Sequence, residues 1–201
     1  GAAGDAKLHI SEDASNHRLD IQGREVDLTA LTGLPLRGDF AFVGIGAGLG
    51  LKNARGEAKA SFSQGTLYGV PIDSISTRLE YSDGEGKGDL ALSAEIGTFD
   101  GRIHLAPSLL DIRGAVSAVN LAYAGGPQTR LDGEMVAHAD EQQPLSVKIN
   151  LEKVEITGRD AGVLQAEFKQ EPSAFRLAKL GWFGPNEEFE VKGEGDVWRR
   201  T

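Results

Sequence analysis

Apolar and polar residues alternate one for one along most of this 201-residue chain. Ile75, Thr77, Leu79 and Tyr81 alternate with Ser74, Ser76, Arg78 and Glu80. Further on, Leu90, Leu92, Ala94 and Ile96 alternate with Asp89, Ala91, Ser93 and Glu95. Successive side chains of a strand point to opposite sides, so each run predicts one apolar and one polar face. Between them, Asp83-Gly84 in the SDGEGKG stretch supplies the positive-φ chemistry of a tight reversal. Residues 65–103 therefore read as an antiparallel meander, and most of the chain looks like a variation on it.

Short alternating strands are expected at 7–10, 18–21, 24–28, 36–41 and 57–63 before this meander. Beyond it, 103–105 and 109–112 bracket a break at Pro107. Strands follow near 115–123, 129–137, 145–151, 152–157, 163–169, 175–180 and 188–197. Residues 125–127 and 139–144 read as loops, and Thr29–Gly33 as a loop or a single helical turn. The GIGAGLG stretch at 44–50 is too rich in glycine for a strand interior and reads as a bulge or loop. No window of about 11 residues carries a helical period. The expectation is an all-β chain of about 14–17 strands.

A repeat runs through these strands. LDIQGREVDL at 19–28 resembles LDIRGAVSAVNL at 110–121, and LRGDF at 36–40 resembles LDGEM at 131–135. Looser matches join 61–69 to 150–158, 75–81 to 164–170, and 99–103 to 191–197. Their order is kept, with a period of about 90 residues, which points to duplicated supersecondary units. The boundary is placed at Pro107, giving units 1–106 and 107–201. The start on Gly1-Ala2-Ala3-Gly4 and the end on Trp198-Arg199-Arg200-Thr201 read as a piece of a longer protein.

Composition narrows the function. With 21 basic and 30 acidic residues the net charge is −9, so no cationic surplus exists for nucleic acid or an anionic bilayer. There is no cysteine, which removes disulfides and thiolate metal sites. Aromatics are 6% of residues, so aliphatic and small side chains must do most of the burial. His9, His17, His104 and His138 have no metal-ligand spacing, and no nucleophile elbow occurs. GIGAGLG lacks the Lys-Ser/Thr ending and the following helix of a phosphate loop. Acidic pairs such as Asp83/Glu85 and Glu152/Glu155 read as solvated turns and polar faces, and Trp182-Phe183 and Trp198 as core or end plugs, with an interface role as the lesser alternative. No catalytic residue, metal or cofactor is expected.

The anchors V-D-L…L-R-G-D-F (26–40), G-T-L-Y-G-V-P-I-D (65–73), L-E-Y (79–81) and S-A-V-N-L…L-D-G-E-M (117–135) resemble repeats of the TamB and AsmA-like group of bacterial bridge-like lipid transfer proteins. The resemblance spans roughly residues 7–197. It implies a long, strongly curved antiparallel sheet forming an open, taco-like groove. It also implies a periplasmic protein anchored in the inner membrane that carries phospholipid towards the outer membrane and aids outer-membrane assembly. An outer-membrane barrel would then be a partner through other parts of the full chain. The group has no catalytic residues to transfer.

On this reading the acyl chains are solvated by one strand face. Its candidates are Ile75, Leu79 and Tyr81, then Leu90, Leu92 and Ile96. In the second unit they are Val147, Ile149 and Leu151, with Leu164 and Phe168. Each CH₂ removed from water contributes about 0.8 kcal/mol. The alternative is a structural β-sandwich or solenoid repeat of a surface or adhesion protein, with the same face closed inside. A β-rich enzyme ranks below both, because no acid–base pair stands out. A membrane barrel lacks its aromatic girdles.

Overall fold

The computed structural model describes residues 6–13, 16–27, 36–47, 55–67, 70–171, 174–184, 188–191 and 195–199. It is all-β and antiparallel, as the alternation requires, and it falls into two compact units, Gly1–Glu95 and Ile96–Thr201. The first carries β1 (Ala6–Asp13), β2 (Asn16–Asp27), β3 (Leu36–Ala47), β4 (Arg55–Leu67), β5 (Val70–Ser82) and β6 (Glu85–Ala94). Each pairs with the next. The second carries β7 (Gly97–Ala106), β8 (Leu109–Val119), β9 (Thr129–Ala139), β10 (Ser146–Ile156), β11 (Arg159–Glu171) and β12 (Ala174–Phe183), again paired in chain order. β13 (Glu188–Val191) and β14 (Gly195–Arg199) both pair with β12, one along each half. Pro107 lies in the turn between β7 and β8, where Ala106 pairs with Leu109.

Several expectations change at the level of elements. The SDGEGKG reversal needs only two residues: Asp83 (φ 54°) and Gly84 (φ 85°) close a tight turn between the paired Ser82 and Glu85. Glu85 to Gly88 already belong to β6. The strands expected at 18–21 and 24–28 merge into β2, which carries a bulge and is described to Asp27, and those expected at 145–151 and 152–157 merge into β10, again with a bulge. Gly44–Ala47 are strand, not loop, because β3 continues through them paired with β4. Residues 48–50 and Thr29–Gly33 lie outside the described residues. β8 stops at Val119 and a 3₁₀ turn, Leu121–Ala124, follows. Asn120 causes this stop: its Oδ1 accepts from the N–H groups of Ala122 and Thr129, and Gly125 (φ 80°) ends the turn.

One device occurs in both units. Gly23 pairs with Phe40 and Val26 with Gly38, so Arg24 and Glu25 together face the single residue Asp39. Val116 pairs with Gly133 and Val119 with Leu131, so Ser117 and Ala118 face Asp132. The inner bulge residue has positive φ in each, 51° at Glu25 and 55° at Ala118. An aspartate across the ladder accepts the backbone N–H that the bulge frees, Glu25 to Asp39 at 3.0 Å and Ala118 to Asp132 at 2.7 Å. All corresponding positions lie 93 residues apart. The offsets of 91 and 95 suggested by the anchor sequences therefore become a single 93 here, since the bulge pairs Asp39 with Asp132 and not with Glu134.

Phe62 and Ile72, each 4% exposed, are the most buried of the described side chains of the first unit; Leu131, Leu151 and Val154 cluster in the second, with Ala137 and Ala166 buried on neighbouring rows. Among the described residues no side chain is less than 2% exposed.

The Ala118 N–H holds the Asp132 carboxyl below the usual carboxylate range, against a smaller desolvation effect, with Arg130 helping at 3.3 Å. A lowered folded-state pKa contributes stability that is present above the unfolded value and lost as pH falls through the folded one. Asp132→Ala should therefore cost about 1–2 kcal/mol near neutral pH, with Asp39→Ala in the same range and Asp132→Asn, which keeps an acceptor oxygen, costing less. Denaturant titration at pH 7 and again below the carboxylate range checks this: the penalty should shrink in acid.

Candidate functional site: an open apolar face

Register determines what each face holds, because directly paired residues point the same way. In the first unit, one row across β2 to β6 runs Gly23, Phe40, Phe62, Ile75, Leu92. The next runs Ile21, Phe42, Ala60, Thr77, Leu90, and the next Leu19, Gly44, Ala58, Leu79, Gly88. Phe62 is buried, while Ile75, Leu79, Leu90 and Leu92 are only half-buried. The second unit has equivalent rows: Val116, Gly133, Leu151, Leu164 and Trp182; Gly114, Met135, Ile149, Ala166 and Leu180; Ile112, Ala137, Val147, Phe168 and Leu177. Val147, Ile149, Leu164 and Phe168 are half-buried; Leu151 is 6% exposed and belongs to the local cluster. Trp182 stays 42% exposed, with its indole N–H donating to the Ala161 carbonyl.

Aromatic rings lie down on this face because glycines make room. Gly46 and Gly56 are cross-strand partners, and Tyr81 is paired with Gly56 and Gly86. Its ring reaches across β4 so that the hydroxyl donates to the Ile45 carbonyl at 3.3 Å. A Cβ on Gly46 would collide with that hydroxyl. Phe99 does the same over the partner pair Gly101 and Gly114, where a Cβ on either would stand 2.7 Å from its ring tip. Phe62 likewise fills the space above Gly38 and Gly65. This answers the expectation that the glycines of 44–47 could not pack in a strand: the Tyr81 ring covers Gly46, and the Phe42 ring lies beside Gly44.

The opposite face is polar and pairs its charges with one another. Arg78 meets Glu57 at 2.9 Å, Lys87 meets Glu85 at 2.8 Å, and Arg55 meets Asp83 at 3.1 Å. Such exposed pairs contribute about 0–1 kcal/mol each, so they act chiefly to keep this side wet. Two depressions of about 340 and 410 Å³, sharing Ala41 and Ser61, and a third of about 300 Å³ beside Asn150 lie between side chains of the polar faces. Their linings also take in Gly23, Phe40, Ala60, Thr77, Ile149 and Ala166 of the apolar rows. Among the described residues no cluster of His, Asp or Glu could hold a metal ion, and no helix is long and apolar enough to cross a membrane.

Ten of the eleven candidates named from the sequence stand on apolar rows. Ile96 does not: it sits in the turn after β6, where its carbonyl accepts the N–H of Asn120. The alternation simply overran the strand end by one step. Sequence reading missed Leu19, Ile21, Phe40, Phe42 and Ile112, which share the rows only through pairing. Their signal was the same alternation in neighbouring segments, but the register that joins them is set by bulges. Of the histidines, His104 lies on the polar side opposite Asp111, His17 on the apolar row beside Gly46, and the side chain of His9 is outside the described residues. Comparison with family models, with curated proteins and with solved structures finds no match to the chain.

Open and covered parts of the face should respond differently to truncation. Leu151→Ala removes a side chain enclosed by Leu131, Val154 and Leu164, and should cost about 2–4 kcal/mol. Leu79→Ala, over Ala58 and Gly88, should cost about 1 kcal/mol or less, since much of that side chain already meets water. Urea melts of the two variants measure the difference.

Proposed function

We propose that this chain is a segment of a periplasmic bridge-like protein whose apolar face carries phospholipid between the inner and outer membranes. The observation that supports the reading is the state of the apolar rows. They are continuous across the strands of each unit, yet most of their side chains remain half-exposed. A contiguous apolar surface of this kind on a soluble domain calls for something to cover it. From β2 to β6 such a row spans about 19 Å at the usual strand spacing, a length comparable with an acyl chain. Flat rings over glycines keep its relief low, and the self-paired charges of the other face leave headgroups no specific site there. In the full-length protein the segment would be one part of a path anchored in the inner membrane, with an outer-membrane barrel engaged elsewhere in the chain.

The test places charges on the face. Leu92 and Val147 are half-buried and lie outside the buried cluster of the second unit, so an arginine at either can reach water along the surface. The purified chain is incubated with vesicles of phosphatidylethanolamine and phosphatidylglycerol, re-isolated and examined by native mass spectrometry. Wild type and Ser76→Arg, on the polar face, should carry lipid; Leu92→Arg and Val147→Arg should melt within a few degrees of wild type and carry at least tenfold less. Wild type without lipid, or arginine variants that do not fold, would favour the structural repeat with a closed face.

A further inference from the structure

His138 belongs to neither the apolar rows nor the ion pairs that line the polar face of the first unit. It sits near the end of β9, paired in register with Asp111 of β8 on one side and Ser146 of β10 on the other. Its Nδ1 lies 3.3 Å from Asp111 Oδ2, and its Nε2 lies 3.2 Å from Asp140 Oδ2. One imidazole thus spans two carboxylates with its two ring nitrogens. A neutral imidazole has one N–H and one lone pair, and an ionised carboxylate can only accept. Both contacts can be hydrogen bonds together only when the ring is an imidazolium.

Asp140 is also the knot of the loop that follows. Its Oδ1 accepts the N–H groups of Gln142 at 2.8 Å and Gln143 at 2.7 Å, and its own N–H donates to the Gln143 carbonyl at 3.0 Å. We propose that His138 is a proton-operated clip, which fastens the 140–145 loop to β8 when charged and lets it go when neutral. Asp111 is held by the strand register, so the Asp140 contact is the one that yields. The far end of the loop stays tied through the Gln170 N–H donating to the Leu145 carbonyl at 2.7 Å.

Other charges face the ring from each neighbouring element. Arg113 stands one pair-step along β8 and Lys148 one along β10; both are exposed and favour the neutral ring. Glu141 follows Asp140 in the loop. One strand further out, His104 pairs with Asp111 and Lys169 with Ser146, Lys169 itself meeting Glu167 at 3.5 Å. The two carboxylates in direct contact outweigh cations a diagonal away, at about 7–8 Å. The hydrogen bond donated to Asp140 and then that donated to Asp111 raise the His138 pKa above its ordinary value, against a smaller desolvation effect. Asp140 is correspondingly lowered, first by the Gln142 N–H and then by His138. A raised folded-state pKa means the clip is fully closed below the ordinary histidine value and opens as pH rises through the raised one.

The test is an NMR titration of the 201-residue chain, following the His138 ring nitrogens and the backbone amides of Gln142 and Gln143. The expected result has both ring nitrogens protonated at low pH and a midpoint above that of an unperturbed histidine. The two loop amides should shift with that same midpoint and exchange several-fold faster above it. Asp140→Asn should lower the midpoint, and His138→Gln should remove the loop's pH response while circular dichroism stays that of wild type. A His138 midpoint at or below the unperturbed value, or loop amides that do not titrate with it, overturns the clip. The wild-type titration decides this alone if a variant fails to fold.

Discussion

Everything in this molecule hangs on the antiparallel ladder. A sheet strand has a side-chain period of two, so slipping any one strand by a single residue would send its aliphatic residues to the wet side and its charges to the dry one. The hydrogen-bonded register is what makes a row such as Phe40, Phe62, Ile75 and Leu92 a continuous surface instead of four unrelated residues. The two bulges are compatible with this constraint because each is capped: Asp39 and Asp132 take up the N–H groups of Glu25 and Ala118 that the ladder cannot use. Past each bulge the alternation resumes on the correct side, with Val26 and Val119 back in register.

Much of this was legible in the sequence because period-two alternation is a local signal. Ile75 to Tyr81 and Leu90 to Leu92 are read correctly residue by residue, and Asp83-Gly84 announces its own turn. What was not legible depends on partners distant in sequence. Gly46 looks unfit for a strand until Tyr81, arriving from β5, lies over it. The spacing of 93 between the units appears only when the bulged pairs are known, since the local wording of the anchors is shifted by two residues in either direction. The helical turn at Leu121–Ala124 is decided by the Asn120 side chain, which could equally have continued a strand. His138 looks like any histidine on a polar face, because neither Asp111 nor Asp140 announces its role without the register of β8 and the fold of the loop.

The two faces of each unit solve opposite problems. On the polar side, charge is neutralised within the sheet itself, by neighbours along or across strands. On the apolar side, bulk is removed at glycines and returned as rings from neighbouring positions, so that the surface is apolar without being tall. Buried Phe62 in the first unit and the cluster around Leu151 in the second take up part of the face and leave most of its larger side chains half-exposed.

The glycine-and-ring arrangement also ties together positions far apart in the chain. A methyl group at Gly46 would occupy the place of the Tyr81 hydroxyl, and losing the ring would bare the backbone of Gly46 to water. Neither partner can drift alone without penalty. In a lineage of such chains the glycines should outlast the tyrosine, because a side chain at Gly46 or Gly56 would still press on the Arg55 or Ile45 carbonyl after the ring had gone.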